Sequence, residues 1–385
     1  MACGFFIFHK DIMQAIRSIL AALPGVGAIP LMFATALLLT HCGAEKAPKA
    51  APDTEKPSRV VVEEAWQSER NEADNVDSPA FWAGVEGERW VIATAKSSDR
   101  LLVYDATTGA FIRGVGSTGA GNGQMRRPNG IATVDDMAIV VERDNHRVQV
   151  FRLPDWKPLG FFGQNDLVKP YGIAVVRDGK DFLLYVTDNY ERPDESIPPD
   201  AELGARVKMF RMSVRGTNAS GTLLRAFGET SGDGVLHIVE SICADTVHGR
   251  LLIADEDARY NDIKVYDLEG TFTGEVVGKG LFKAQPEGIV LYECNDGGGY
   301  WVMTDQDHAN NTFMVFDRKD FALLGTFTGA STTNTDGIAL TQLGFGPFVA
   351  GCFFAVHNDG NVTALDWGTV AGLLKLEKEC TQRMP

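Results

Sequence analysis

The chain has 385 residues, with 51 Asp and Glu against 36 Lys and Arg, and a formal net charge of −15. No basic stripe exists to neutralise phosphates along a strand, which argues against nucleic acid as a partner. Concentrated acidity suits bound cations or plain solubility, and the length allows one large core or two ordinary domains.

Lys10 and Arg17 precede an uncharged stretch from Ile19 to Thr40 that ends in Leu39-Thr40-His41-Cys42. Residues 1–42 therefore predict an export segment. Three fates fit it: a lipoprotein acylated at Cys42, ordinary cleaved secretion, or an uncleaved anchor, since the stretch is long enough to span a bilayer. Pro24 and Pro30 interrupt a continuous helix there. The Ala/Pro/Lys/Glu-rich residues 43–58 predict a flexible tether. The product is expected in the periplasm, on the cell envelope or secreted, touching a membrane only through its N-terminal segment, and monomeric.

Residues 59–385 read as one repeat array. Six times a short aliphatic strand runs into an acidic turn and then into a strand ending in an aromatic or apolar residue. The closing strands are Leu102-Val103-Tyr104-Asp105, Val148-Gln149-Val150-Phe151, Val207-Lys208-Met209-Phe210, Ile263-Lys264-Val265-Tyr266, Met314-Val315-Phe316-Asp317 and Thr363-Ala364-Leu365-Asp366. A spacing of about 50 residues predicts an all-β fold, a six-bladed β-propeller with four-stranded blades. Blade openings are read at Asp77-Ser78-Pro79-Ala80, Pro128-Asn129-Gly130-Ile131, Pro170-Tyr171-Gly172-Ile173, Glu240-Ser241-Ile242, Pro286-Glu287-Gly288-Ile289 and Thr335-Asp336-Gly337-Ile338. Glycine there permits close backbone packing near the axis. Second strands are read at Trp90–Thr94, Ala138–Val141, Leu183–Thr187, Leu251–Ala254, Tyr300–Met303 and Cys352–Val356. Cys243, Cys294, Cys352 and Cys380 show no zinc spacing and predict buried thiols or one structural bridge.

Antiparallel neighbours reverse direction, so the start of a first strand and the end of a second strand share one end of the blade. One face of the propeller should then receive Asp77, Glu240, Glu287 and Asp336 from strand starts. The turns after the second strands add Glu142, Asp144, Asp188, Asp255, Glu256, Asp257, Asp305, Asp307 and Asp359. Lys96, Arg143 and Tyr171 reach the same rim. Crowded carboxylates raise each other's pKa unless some stay protonated or divalent cations bind. Oxygen ligands of this kind suit Ca²⁺. Several cations beside Lys96 and Arg143 would attract a multiply charged anion, bridge phosphate oxygens and acidify a bound water, while Arg and Lys stabilise the equatorial oxygens. Asp144, Asp188 and Asp307 are the acids best explained as turn formers.

The ordered motifs resemble those of the β-propeller phytases, calcium-dependent bacterial enzymes that remove phosphate from inositol hexakisphosphate. The resemblance covers residues 70–375 and rests on Asp77-Ser78-Pro79-Ala80-Phe81-Trp82, Thr94-Ala95-Lys96, Arg143, Tyr171-Gly172-Ile173, Val239-Glu240-Ser241, Ala254-Asp255-Glu256-Asp257, Glu287-Gly288-Ile289, Thr335-Asp336-Gly337-Ile338, Gly344-Phe345-Gly346 and Ala364-Leu365-Asp366-Trp367. It implies that Asp77, Glu240, Glu256, Glu287 and Asp336, with Asp255 and Asp359, would ligate several calcium ions. Lys96, Arg143 and Tyr171 would contact phosphate and act with Glu240 in a 3-phytase-type reaction, with Asn189 at the substrate. Ser78 stands in place of the family's second Asp, Gly130 in place of a frequent Asp, Asn189 in place of a second phosphate-binding Lys, and Ala330 in place of another acid.

Two other functions fit the same array. Residues from Asn122 to Phe151 also resemble NHL-type repeats, which form non-catalytic binding platforms. A calcium-dependent lactonase or esterase is the third option, though a ring rich in carboxylates with Lys96 and Arg143 favours phosphate. No Gly-x-Ser-x-Gly elbow is present, which speaks against a serine hydrolase.

Overall fold

The computed structural model describes residues 58–376. The expected export segment 1–42 with Cys42, the tether up to residue 57, and Cys380 lie outside the described residues. Among the described residues Cys243 and Cys352 are free thiols, and Cys294 is disulfide-bonded.

Six antiparallel sheets follow one another along the chain. Their innermost strands are Val76–Ala83, Pro128–Val134, Pro170–Asp178, Val239–Asp245, Gln285–Glu293 and Ile338–Thr341. All six line one channel of ≈ 460 Å³, so the molecule is the expected six-bladed propeller. The second strands read as unbroken apolar runs because neighbours cover both of their faces. Met137–Glu142, for instance, is buried at every residue.

The core is divided accordingly, one apolar cluster lying between each pair of adjacent blades. Ile92 and Val103 of the first blade meet Val140 and Phe151 of the second. Phe313 and Phe327 of the fifth meet Phe353 and Leu365 of the sixth. Each fully buried side chain of this size is worth about 1.5–3 kcal/mol, so the seams between blades hold the ring together.

Closure differs from a simple count of four strands per blade. The sixth blade takes its outermost strand, Trp66–Gln67, from the start of the array, pairing Trp66 with Ala364 and Gln67 with Thr363. Trp66 also donates its indole N–H to the Ala106 carbonyl of the first blade at 3.0 Å. Ahead of it, Ser58–Val62 runs parallel to Leu323–Gly329 as a fifth strand of the fifth blade. A short helix, Trp367–Leu373, follows the last strand and is capped by the Asp366 side chain, which accepts from Thr369 N.

Strand register settles which residues share a face. Pro128 pairs with Glu142, Pro170 with Asp188, Val239 with Asp255 and Pro286 with Asp305. Starts of first strands and ends of second strands therefore lie at one end, as the antiparallel argument requires. Immediately after each of these residues, and after Val76 paired with Ala95, two residues of the innermost strand bulge opposite one of the second strand. These are Asp77-Ser78, Asn129-Gly130, Tyr171-Gly172, Glu240-Ser241 and Glu287-Gly288.

Candidate active site

The first residue of each bulge, Asp77, Asn129, Tyr171, Glu240 and Glu287, lines one small cavity together with Asp336, which precedes the innermost strand of the sixth blade. One side chain comes from each blade. Bulges re-aim side chains in this way at the rims of barrels and sites. The second bulge residue explains how closely the blades approach. A Cβ on Gly130 would stand 2.3 Å from the Tyr171 carbonyl oxygen, and one on Gly172 would stand 2.1 Å from that of Glu240. Backbone bonds continue the ring, Gly288 N donating to Asp336 O at 3.1 Å and Gly337 N to Asp77 O at 3.0 Å. Two threonines stitch further seams. Thr94 Oγ1 accepts from Ser78 N at 3.0 Å and donates to Asn129 O at 2.7 Å. Thr187 Oγ1 accepts from Gly172 N and donates to Glu240 O, both at 2.7 Å.

A second tier comes from the ends of the second strands: Lys96, Arg143, Asn189, Glu256 and Asn358 just after them, and Gln306 as the last strand residue. The two tiers divide the mouth. Blades four to six contribute Glu240, Glu256, Glu287 and Asp336. Blades one to three contribute Lys96, Arg143, Asn129 and Tyr171, with Asp77 beside Lys96.

On the acidic side, ligand atoms of Glu240, Glu256 and Glu287 lie within 4.8 Å of one another. Glu256 and Glu287 are buried, and one Glu256 oxygen, Oε1, is buried with no hydrogen-bond partner. Burial and the neighbouring acids push every one of these groups upward. Burial, then Asp77, raises Glu240 to about 7. Burial, then Asp77, raises Asp336 to about 8. Glu256 is driven well above the carboxylate range by burial and by Glu240, Glu287 and Asp336, and Glu287 by burial and by Glu240 and Asp336.

On the other side, Lys96 Nζ stands 2.5 Å from Asp77 Oδ2 and 3.5 Å from Asp336 Oδ2. Burial works against its charge, but these two carboxylates outweigh it and hold the ammonium protonated. Asp77 also accepts from Ser78 Oγ at 2.6 Å, so the serine at that position supports the aspartate. Arg143 Nη1 donates to Tyr171 Oη at 3.2 Å, and its Nε to Asp144 Oδ1 at 2.8 Å. Burial, with Glu240 nearby, raises Tyr171 to about 12, so its hydroxyl stays neutral.

The remaining expected site residues fall around this mouth. Asp359 lies near Asp336, whose pKa it helps raise, and accepts from Asn334 Nδ2 at 3.5 Å. Asn189 is buried and accepts from Val239 N at 3.4 Å, bracing the residue before Glu240. Asp255 is turned away from the cavity; its oxygens accept from His237 N and Ile238 N at 3.1 Å each. Asp188 and Asp305 do the same for the loops entering blades three and five. Glu142 is paired with Arg147 at 2.8 Å. Asp307 holds a turn, Asp144 pairs with Arg143, and Asp257 pairs with Arg259. Two residues of the mouth carry no charge and were not anticipated from sequence: Asn129, and Gln306, whose Nε2 donates to Asp336 Oδ1. Register alone would have found Asn129, since it stands in the same bulge position as the acids.

Residues 234–371 match a family model described as phytase. That span contains Glu240, Glu256, Glu287 and Asp336. The match supports a hydrolase of phosphate esters and, with the six-bladed fold, is consistent with a β-propeller phytase. A search of curated proteins finds no match. Similar solved structures include a calcium-binding regucalcin from Agrobacterium tumefaciens, at 12% identity and a TM-score of 0.49 over 80% of this chain and 95% of that one. A nidogen/laminin complex matches at 13% identity and a TM-score of 0.45 over 71% of this chain and 88% of that one.

Proposed function

We propose that this chain is a calcium-dependent phosphomonoester hydrolase of the 3-phytase class, releasing phosphate from inositol hexakisphosphate or a related phosphate ester. One observation carries the reading: a mouth with buried, mutually repelling carboxylates on one side and Lys96, Arg143 and Tyr171 on the other.

The acidic side fits a hard cation. Its donors are all oxygens, as calcium prefers, and the unpartnered Glu256 Oε1 is a buried acceptor in need of a positive partner. Asp77, Glu240, Glu256, Glu287 and Asp336 would hold the ions, with Asp359 behind Asp336. Bound there, calcium would supply Lewis-acid stabilisation of the phosphoryl oxygens and lower the pKa of water.

The protein's own groups do the rest. Arg143 Nη1 already donates to Tyr171 Oη, leaving the Tyr171 hydrogen free to donate to a phosphate oxygen. Lys96 stays protonated and acts as a fixed positive charge, not as a base. Both oppose the charge that spreads over the equatorial oxygens during phosphoryl transfer. Glu240 stands where the acidic side meets Tyr171; without a cation, burial and Asp77 raise its carboxyl to about 7, and a bound cation would hold it ionised.

Phosphate release from phytate is expected only with Ca²⁺, to stop on adding EDTA and to return with excess Ca²⁺. Release indifferent to chelation, or none under any condition, would sink the proposal. We also propose export with lipid attachment at Cys42; Cys42→Ser should then abolish incorporation of labelled palmitate.

A further inference from the structure

Six residues, one per blade, line the cavity, and five of them are acids or the tyrosine of the proposed site; the sixth is Asn129. Its side chain is 1% exposed, and both Oδ1 and Nδ2 are without a hydrogen-bond partner. A carboxamide offers an acceptor oxygen and two N–H donors, and burying all of them unmet is costly unless a ligand meets them. Asn129 cannot retreat from the cavity it lines. Thr94 Oγ1 holds its carbonyl at 2.7 Å, and the following Gly130 is pressed against the Tyr171 backbone.

Two residues earlier, Arg127 repeats the pattern with a charge. Its Nε is buried without a partner, and among the described residues its guanidinium forms no ion pair, although the chain carries a net charge of −15. Its backbone is pinned at both ends, the N–H donating to Asp99 Oδ1 at 2.7 Å and the carbonyl accepting from Arg143 N at 3.0 Å. The backbone bond to Arg143 N sets Arg127 beside that arginine in the chain fold, and its charge reaches the Tyr171 hydroxyl, favouring the ionised form. A cation bonded through its backbone to Arg143 and an amide lining the cavity with Tyr171, neither of them in an ion pair or side-chain bond of its own, match an oxyanion with several acceptor oxygens.

We propose that Arg127 and Asn129 bind the phosphoryl group of the substrate, the guanidinium and the Asn129 Nδ2 donating to its non-bridging oxygens. The inference rests on the phosphate-ester reading above. Neither residue lies in the acidic cluster, so cation binding and phosphate binding separate in the test.

Inorganic phosphate is titrated calorimetrically into the Ca²⁺-loaded full chain, and Ca²⁺-induced thermal stabilisation is measured in parallel. Arg127→Ala and Asn129→Ala should each weaken phosphate binding about tenfold and raise KM for phytate. Arg127→Ala should keep the calcium response. Arg127→Lys should recover part of the loss, and Asn129→Asp should bind phosphate less well than Asn129→Ala, because a carboxylate repels the anion. Variants that bind phosphate like the wild type overturn the pair's role and leave the hydrolase reading standing. Wild-type protein that binds phosphate through the pair yet hydrolyses no phosphate ester overturns the hydrolase reading alone. A readout free of substitutions covers any variant that fails to fold: phosphate should shield Arg127 of the wild type from phenylglyoxal, read by peptide mass spectrometry. Undiminished labelling of Arg127 overturns the proposal.

Discussion

Asp188, Asp255 and Asp305 are as deeply buried as Glu256 and Glu287, and Asp255 and Glu256 are adjacent in the chain, yet the two groups are in opposite circumstances. The first three end the second strands and accept backbone N–H groups from the loop entering their own blade. Asp188 has Lys208 at 3.5 Å besides. The second pair faces other carboxylates across the mouth, and one Glu256 oxygen meets no donor at all. Burial and acidity alone therefore do not mark a site. What marks it is a buried acceptor whose partner must come from outside the chain.

Substitution should split the two rows by sign. Asp188→Ala strips Val168 N and Lys169 N of their acceptor and leaves buried Lys208 without its carboxylate, with only the Ala205 carbonyl to bond; a loss of about 3–5 kcal/mol is expected in denaturant unfolding. Unchanged stability would erase the distinction. Glu287→Gln should do the reverse in metal-free protein, raising stability by on the order of 1 kcal/mol as repulsion is relieved. The same change should abolish most of the calcium-induced rise in Tm and cut phosphate release by about a hundredfold.

A pH series sharpens the contrast without mutation. Glu240 and Asp336 are raised to about 7 and about 8 in the folded protein, so the native state binds more protons than the unfolded chain above the ordinary carboxylate pKa. Stability from these groups is fully present below about pH 4 and is lost as pH rises through 7 and 8. Melts in EDTA should fall across that window, whereas calcium, which binds the deprotonated form, should flatten or reverse the slope. Parallel curves with and without calcium would count against the metal site. The smallest effect belongs to Asp144→Ala, an exposed turn acid, expected to change stability by less than about 0.5 kcal/mol.

Much of this was legible in the sequence. The repeated openings and closing strands gave six blades, and antiparallel geometry put the correct ends on one face. The sorting of acids was legible only in part: Asp188 and Asp307 do serve the backbone as expected, but Asp255 and Glu256 differ only in which way a turn aims them. Asn129 escaped because the reading followed charge, while its importance comes from its place in the bulge and its unmet hydrogen bonds. The closing strand Trp66–Gln67 escaped for another reason. Two residues carry no periodicity, and their partners Thr363 and Ala364 lie at the far end of the chain.

That late pairing turns the ring into a belt fastened by its own leading end. The buckle lies where the sixth blade meets the first, the seam across which Gly337 N reaches Asp77 O and Lys96 spans Asp77 and Asp336. Loosening it would spread the very pair of carboxylates that Lys96 clamps, so closure of the ring and the shape of the mouth share a single fastening.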